Sequence, residues 1–529
     1  MPLQNRNEIQ RKSKQEEPND AACEATTDIL TKPRLYLINP SNPQVSMINT
    51  GESRWNRYRV WKPLGLMIIA GLTPEDWDVT VIDENLSVPE YASMPRPNLV
   101  GITAFTSQAH RAYSLSSHFR SNGVPVVIGG IHASMCTTEA LEYADSVVSG
   151  EAESVWSRVL ADSLAGQLKP LYEGGFAELT EMVPARHDLL RNKYAFGAVQ
   201  TTRGCPLQCS FCSVTAFNGA RFRQHPIEHV VSELKNIPED LVLIVDDNLI
   251  GTRIDHSERA KTLFRAMIVA DLKKQWIAPV TINVANDDEL PGLATAAGGR
   301  GVFIGFESPD PSTSKELARK NNLCRRKDLK EAVQTIQKHG ILVVGSFIIC
   351  LDGDTPGIGK RIADTAERYG VDFANVLFLT PLPETKLWEI MVAQYRVPLC
   401  NFPSDWRYFT LTFPVARFLG FSAKEAVNEM MVCSKRFYSI PRILRRLCRH
   451  LWRGQKVAFG FVGGMSFRKN IPIERRQLTA FLMQSDDNVS SVNPNTTEAS
   501  GRRNSTSENR TQQQSAQHFA SENVERTNM

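Results

Sequence analysis

Between Pro33 and about Glu153, short apolar runs alternate with longer amphipathic ones. Arg34-Leu-Tyr-Leu-Ile38, Asp78-Val-Thr-Val-Ile-Asp83, Leu99-Val-Gly-Ile-Thr103, Val124-Pro-Val-Val-Ile128 and Asp145-Ser-Val-Val-Ser149 are too short for helices and rich in β-branched residues, so they predict five strands. Stretches with helical spacing, such as Pro63 to Leu72 and His110 to Arg120, separate them. Strands that alternate with helices predict an α/β unit with a doubly wound, flavodoxin-like parallel sheet, whose ligands sit at the carboxyl ends of its strands. One more helix, Val155 to Leu164, ends this unit, giving a first domain over residues 33–165. Pro170, Gly174, Gly175 and Pro184 then break any regular element, and residues 166–195 read as an extended link.

From Phe196 the alternation resumes in a different rhythm. Ala198 to Thr202, Leu241 to Val245, Thr281 to Val284, Gly301 to Ile304, Leu342 to Ile349 and Phe373 to Leu379 predict six strands. Helices intervene, notably Pro226 to Leu234, His256 to Ala270 and Asp328 to His339. Six strand–helix units predict a partial TIM-type (β/α)6 barrel over residues 196–399, with its site at the carboxyl ends of the strands. Residues 400–484 read as a small helical appendage. Within it Ser422-Ala-Lys-Glu425 is a capping box that opens a helix running to Phe437. Pro441 opens a second, Arg442 to Arg453, with Ile443, Leu444, Leu447 and Leu451 on one face and Arg445, Arg446, Arg449 and Arg453 on the other. Such a helix serves either at an anionic membrane surface or as a plain solvated face, the second being the commoner use. Residues 1–32 and 485–529 are polar and lack periodicity, which predicts two disordered tails.

Composition narrows the class. A chain of 529 residues exceeds one core and predicts several domains. A net charge of +4 spread over that length argues against an extensive nucleic-acid surface. No signal peptide and no membrane-spanning apolar run is evident, and the ten cysteines do not form a disulfide framework. A reducing cytoplasm is the expected compartment.

The candidate chemistry is concentrated in Cys205-Pro-Leu-Gln-Cys209-Ser-Phe-Cys212. Thiolates are soft ligands, and three in one tight loop can hold three irons of a four-iron cluster and leave the fourth iron open. A zinc site completed by His225 is the alternative, but zinc spacings normally repeat the cysteine pair, and no second pair follows. A second feature is the Gly-Gly loop of Ile128-Gly-Gly-Ile-His-Ala-Ser134, where the missing side chains let a ligand approach the backbone.

The cysteine motif and the domain before it resemble the radical S-adenosylmethionine (radical SAM) enzymes that carry an amino-terminal cobalamin (B12)-binding domain. The resemblance covers roughly Pro33 to Met391. It implies a [4Fe-4S] cluster on Cys205, Cys209 and Cys212, with SAM on the open iron. It places Asp246, Asp247 and Asn248 near the SAM amino group, and Glu307 and Ser308 near the ribose or carboxylate. Ser346, Pro381 and the backbone of Phe211 would line the adenosine. In the first domain it places Thr103, Ser107, Gly129, Gly130 and His132 beside cobalamin. Trp55, Tyr58 and Trp61 are candidates to cover the corrin ring, although such a cluster is more often plain core. One departure stands out: methionine-synthase-type domains carry D-x-H-x-x-G after the first strand, and here that loop is Asn39-Pro-Ser-Asn-Pro43, so it supplies no histidine to cobalt.

The implied activity is reductive cleavage of SAM to a 5′-deoxyadenosyl radical, hydrogen abstraction from an unactivated carbon, and methylation of that carbon. Cobalamin-dependent cyclisation or rearrangement is the alternative enzyme reading, and a non-catalytic corrinoid sensor the alternative from another class. The implied partners are a small-molecule or lipid substrate and a reducing protein such as flavodoxin or ferredoxin.

Overall fold

A computed structural model describes residues 32–42, 44, 62–181, 183–190, 194–310, 328–452 and 457–490, the side chains at 181, 450, 452–460 and 485–490 excepted. Trp55, Tyr58, Trp61 and nearly all of the two predicted tails lie outside these residues.

The first domain is built on β1 (Arg34–Asn39), β2 (Asp78–Asp83), β3 (Leu99–Thr103), β4 (Val126–Gly129) and β5 (Ser146–Ser149). Helices α1 (Leu64–Leu72), α2 (Ala109–Ser121) and α3 (Trp156–Leu164) cover its faces. All pairs are parallel, in the order β2-β1-β3-β4-β5-β6, so the doubly wound expectation holds. The sixth strand, β6 (Leu171–Glu173), comes from the predicted link. It pairs with β5 because Tyr172, only 2% exposed, is anchored through its hydroxyl to Asp162 at 2.7 Å. The link is therefore partly sheet.

The second sheet has the order β14-β13-β12-β11-β10-β7 and is again all parallel: an open, six-stranded partial barrel. Its first strand, β7 (Gly197–Val199), is shorter than predicted. Thr202 and Arg203 leave it to form β8 (Thr202–Arg203), which pairs antiparallel with β9 (Arg223–Gln224). This two-stranded ribbon closes the loop that carries the three cysteines. After α4 (Ile227–Asn236) come β10 (Leu241–Ile244), α5 (Ile254–Val269) and β11 (Gln275–Pro279). The predicted strand Thr281–Val284 is thereby corrected: the strand lies earlier, and Ile282–Asn286 is a 3-10 turn. Thr281 Oγ1 donates to the Gly251 carbonyl at 3.0 Å, which draws the chain out of the sheet, while Trp276 supplies the buried anchor of the true strand. β12 (Gly299–Glu307), α6 (Leu329–Lys338), β13 (Leu342–Ile349), α7 (Ile358–Tyr369) and β14 (Phe373–Phe378) complete the barrel.

Three carboxyl-terminal helices follow: α8 (Ala423–Phe437), α9 (Ile440–Trp452) and α10 (Val457–Ser490). Ser422 and Glu425 form the predicted capping box. α10 continues past the expected boundary at 485, to Ser490. The faces of α9 are arranged against expectation. Three of its arginines turn inward: Arg442 binds Asp364, and Arg446 and Arg449 bind Glu367, both acids on α7, while Arg445 stays exposed and Arg453 lies outside the described residues. Leu444 and Leu451 are left outside, 46% and 60% exposed. A tract between these helices and the barrel joins the two domains. Trp406, 1% exposed, stacks on Phe402 and donates Nε1–H to Glu139 of the first domain at 2.9 Å.

Candidate functional site

The cysteine loop is held at its root by the end of β10. Asp246, 3% exposed, accepts the N–H groups of Thr201 (2.6 Å) and Thr202 (3.0 Å) and the Thr201 hydroxyl (2.6 Å). Burial raises its carboxyl to about 6, against the pull of the hydrogen bonds from Thr201 and Thr202. Asp247 accepts the Gly204 N–H at 2.8 Å, and Asn248 directs Nδ2 at Cys205 Sγ, 3.9 Å away. Gly204 has φ +87°, and a Cβ there would lie 2.2 Å from the Arg221 carbonyl oxygen across the ribbon. Only glycine lets the two strands close above the cysteines.

This arrangement alters the reading of the Asp246-Asp247-Asn248 run. Two of the three side chains are committed to the protein: Asp246 to Thr201 and Thr202, and Asn248 to the Gly251 N–H (3.2 Å) and Cys205. Asp247 alone also faces an open cleft. A buried carboxylate takes the nearest donors, and here those are backbone groups at the loop root.

Cys205, Cys209 and Cys212 are half-buried and not joined by disulfides. Burial pushes the Cys205 thiol up, and neighbouring Cys212 adds to the shift. Ionising three such thiols together needs a cationic centre, so the donor set fits an iron–sulfur cluster. His225, the candidate zinc ligand, is instead buried with its ring stacked on His229, centroids 5.6 Å apart. Among the described residues no three His, Cys, Asp or Glu side chains converge on a single ion.

The remaining barrel residues do not line the cleft described below. Phe211 is half-buried against the main core. Glu307 is buried at the end of β12 with φ +63°, beside a register shift between Gly305 and Glu307. A left-handed glutamate is a costly conformation that tends to mark a working site. Ser308 Oγ accepts the Asp310 N–H at 3.1 Å. Ser346 is half-buried on β13 between buried Gly345 and Phe347, so it faces the opposite side of the sheet from them, and Pro381 is buried after β14.

A cleft of about 380 Å³ separates the strand ends of the first sheet from the cysteine loop. Thr103, Gly129 and Gly130 line one side, and Arg203, Asn218 and Asp247 the other. Gly130 has φ +90°, and a Cβ there would stand 2.5 Å from Thr103 Oγ1, so this cradle admits no side chain. Ser107, half-buried in the turn after β3, does not line the cleft, and neither does His132. His132 is 0% exposed and contacts Glu139 (3.2 Å) and Tyr113 (3.1 Å) in a buried polar network. The loop after β1 is also committed. Asn39 binds Asp83 and Gln108, Ser41 binds Glu84, and Asn42 donates to the Arg407 carbonyl.

Across the cleft the two domains are joined by buried charge. Arg203, two residues before the first cysteine, meets Glu151 at 3.0 Å and Glu153 at 2.9 Å. Arg223, opposite it on the ribbon, also grips Glu151, which further accepts the Ala177 N–H at 2.6 Å. Burial alone would raise the Glu151 carboxyl, but Arg223, Arg203 and that N–H outweigh it and hold it below the usual range. The sequence reading missed this clamp. Its only trace there is an acid pair after Gly150 and an arginine directly before the motif glycine.

The fold and the site define a two-domain enzyme of the radical SAM type. A thiolate loop at the mouth of a partial barrel faces the strand ends of a doubly wound domain. Residues 199–368 match the model of the radical SAM superfamily, and residues 56–160 match that of the B12 binding domain. The chain is 29% identical over 380 residues to the bacteriochlorophyllide d C-12(1)-methyltransferase of Chlorobaculum tepidum, covering 69% of this chain and 80% of the relative. It is 26% identical over 345 residues to the hopanoid C-2 methylase of Rhodopseudomonas palustris, covering 63% and 65%. Among solved structures, the radical SAM methyltransferase TsrM of Kitasatospora setae, with cobalamin and a [4Fe-4S] cluster bound, superposes with a TM-score of 0.53 at 16% identity, over 69% of this chain and 75% of that one. The chain belongs to the radical SAM enzymes that carry a cobalamin-binding domain, a family that includes methyltransferases, and its cofactors are the [4Fe-4S] cluster, SAM and cobalamin.

Proposed function

We propose that this enzyme transfers a methyl group to an unactivated carbon of an apolar small molecule or lipid. The observation that carries the reading is the shared cleft: the Thr103, Gly129 and Gly130 wall and the Arg203, Asp247 wall face one another beside the cysteine loop. Bound there, the cluster with SAM supplies a radical able to take hydrogen from carbon, and the corrinoid supplies the methyl group. The chain's own residues supply placement. Asp246 and Asp247 fix the loop root, the Glu151–Arg203–Arg223 clamp fixes the two walls, and the Asn39–Asn42 loop would bring no imidazole to the cobalt. The relatives named as bacteriochlorophyllide and hopanoid methylases support an apolar acceptor. A flavodoxin or ferredoxin is the reductant that this chemistry requires.

The test is mass spectrometry of extracts from cells with and without the gene, grown on methionine carrying a trideuterated methyl group. The expected result is a gene-dependent product that carries the intact labelled methyl on carbon. A gene-dependent product without the label would replace methylation with cyclisation or rearrangement.

A further inference from the structure

The carboxyl-terminal helices hold a charge that the rest of the chain lacks. Between Lys435 and Gln484 stand twelve lysines and arginines against one acid, Glu474, while the whole chain nets only +4. Five of the twelve are paired with acids of α7: Arg436 and Arg442 with Asp364, and Arg445, Arg446 and Arg449 with Glu367. Most of the described basic face of α9, which the sequence offers to a membrane, is therefore paired with α7.

The outward surface lies on α10 instead. Phe461, Met465, Lys469, Arg476 and Met483 recur at helical spacing on one side of it. Phe461, Met465 and Met483 are 39%, 40% and 64% exposed, and Lys469 and Arg476 are exposed as well. Along this helix runs a groove of about 870 Å³, with Phe461, Met465 and Ile471 in its walls, Lys435, Arg468 and Lys469 among its lining residues, and no carboxylate. On α9, Leu444 and Leu451 are also exposed.

We infer that this face docks the enzyme peripherally on an anionic lipid bilayer, with acyl chains against the apolar side chains and phosphate headgroups on the cations. Exposed apolar residues alone would suit a protein partner, and cations alone a nucleic acid. Interleaved on one helix face without an acid, the two together match the headgroup boundary of a negatively charged bilayer. No helix among the described residues is long and apolar enough to cross a membrane, so the contact is one of surface docking. This inference goes beyond the proposed reaction and does not rest on it.

The test is cosedimentation of the full-length, anaerobically reconstituted enzyme with phosphatidylcholine vesicles, with and without phosphatidylglycerol, at low and high salt. Binding is expected to the anionic vesicles at low salt, with release at high salt. Lys469→Glu combined with Arg476→Glu should lower the partition coefficient by at least about tenfold. Phe461→Ser combined with Met465→Ser should lower it as well, with the near-ultraviolet circular dichroism of both variants checked for an unchanged fold. Absence of binding at low salt, or equal binding to both vesicle types, overturns the inference. So does tight binding of a single-stranded RNA oligonucleotide with no vesicle binding. Vesicle binding is read without turnover, so its failure and the failure of the methyl-transfer reading are separate results.

Discussion

Replacing Arg203 with Met tests the interdomain clamp directly. Arg203 is 8% exposed, and the substitution keeps most of its apolar volume while deleting the guanidinium between Glu151 and Glu153. Removing one partner of a buried ion pair costs about 3–5 kcal/mol, because the remaining charge is left uncompensated. Glu151 retains Arg223 and the Ala177 N–H, whereas Glu153 loses the ion pair it makes here. The loss should therefore fall near the low end, about 3 kcal/mol. Because the clamp joins two domains, the cost should appear as uncoupling. Urea unfolding of the reconstituted enzyme, followed by tryptophan fluorescence, should split into two transitions. Adding Glu153→Gln to the variant should restore part of the loss, since the stranded charge is then gone. In frozen samples, the dipolar coupling between cobalt(II) and the reduced cluster should broaden as the cleft walls lose their fixed separation. A variant that unfolds in a single transition within about 0.5 kcal/mol of the parent would refute the argument.

Other outcomes follow from the same geometry. Cys205→Ala, Cys209→Ala or Cys212→Ala should abolish the iron–sulfur absorbance of the reconstituted protein, while Cys400→Ala, at an exposed thiol, should leave it intact. Gly130→Ala should lose corrinoid binding, measured by its retention on gel filtration, and cost about 1–3 kcal/mol, because it meets both a positive φ and a contact at 2.5 Å. The cobalt(II) spectrum of the bound corrinoid should lack coupling to a histidine nitrogen, and its appearance would overturn the reading that no imidazole of the chain reaches the cobalt. Burial, with help from Arg203 and His229, holds the His225 imidazole down at about 4, so the unfolded chain takes up a proton from about pH 6.5 that the native one refuses. Stability should thus be full above pH 6.5 and fall by up to about 3 kcal/mol as pH drops towards 4, and His225→Phe should flatten that limb; an unchanged acid limb would refute the assignment.

How much could be read from the sequence depended on how local each signal is. The thiolate loop and the strand–helix alternation are local, and both domains follow from them. Thr281 to Val284 has strand-like composition, yet Gln275 to Pro279 is the strand, because a hydrogen bond from Thr281 to the distant Gly251 decides the matter. Asp246 and Asp247 look equivalent in the chain, but only the fold shows that one is consumed by Thr201 and Thr202 while the other faces the cleft. His132 beside the glycine pair has the look of a ligand contact until Glu139 and Trp406 close around it. Arg442, Arg446 and Arg449 of α9 look solvated in the chain, since Asp364 and Glu367, which take them up, lie far away in sequence and no periodicity reports them.

The strand drawn from the connecting segment sets where the molecule can be cut. A fragment ending at residue 165 would remove β6 and leave β5 as a bare edge, with Val147 to Ser149 offering unpaired backbone groups to any extended chain. It would also leave Asp162 without the Tyr172 hydroxyl it accepts. A fragment carried through Leu190 keeps the edge covered and includes His187, whose ring reaches Glu233 on the barrel side. The segment between the domains thus belongs structurally to both, and any exchange of the first domain between relatives has to take it along.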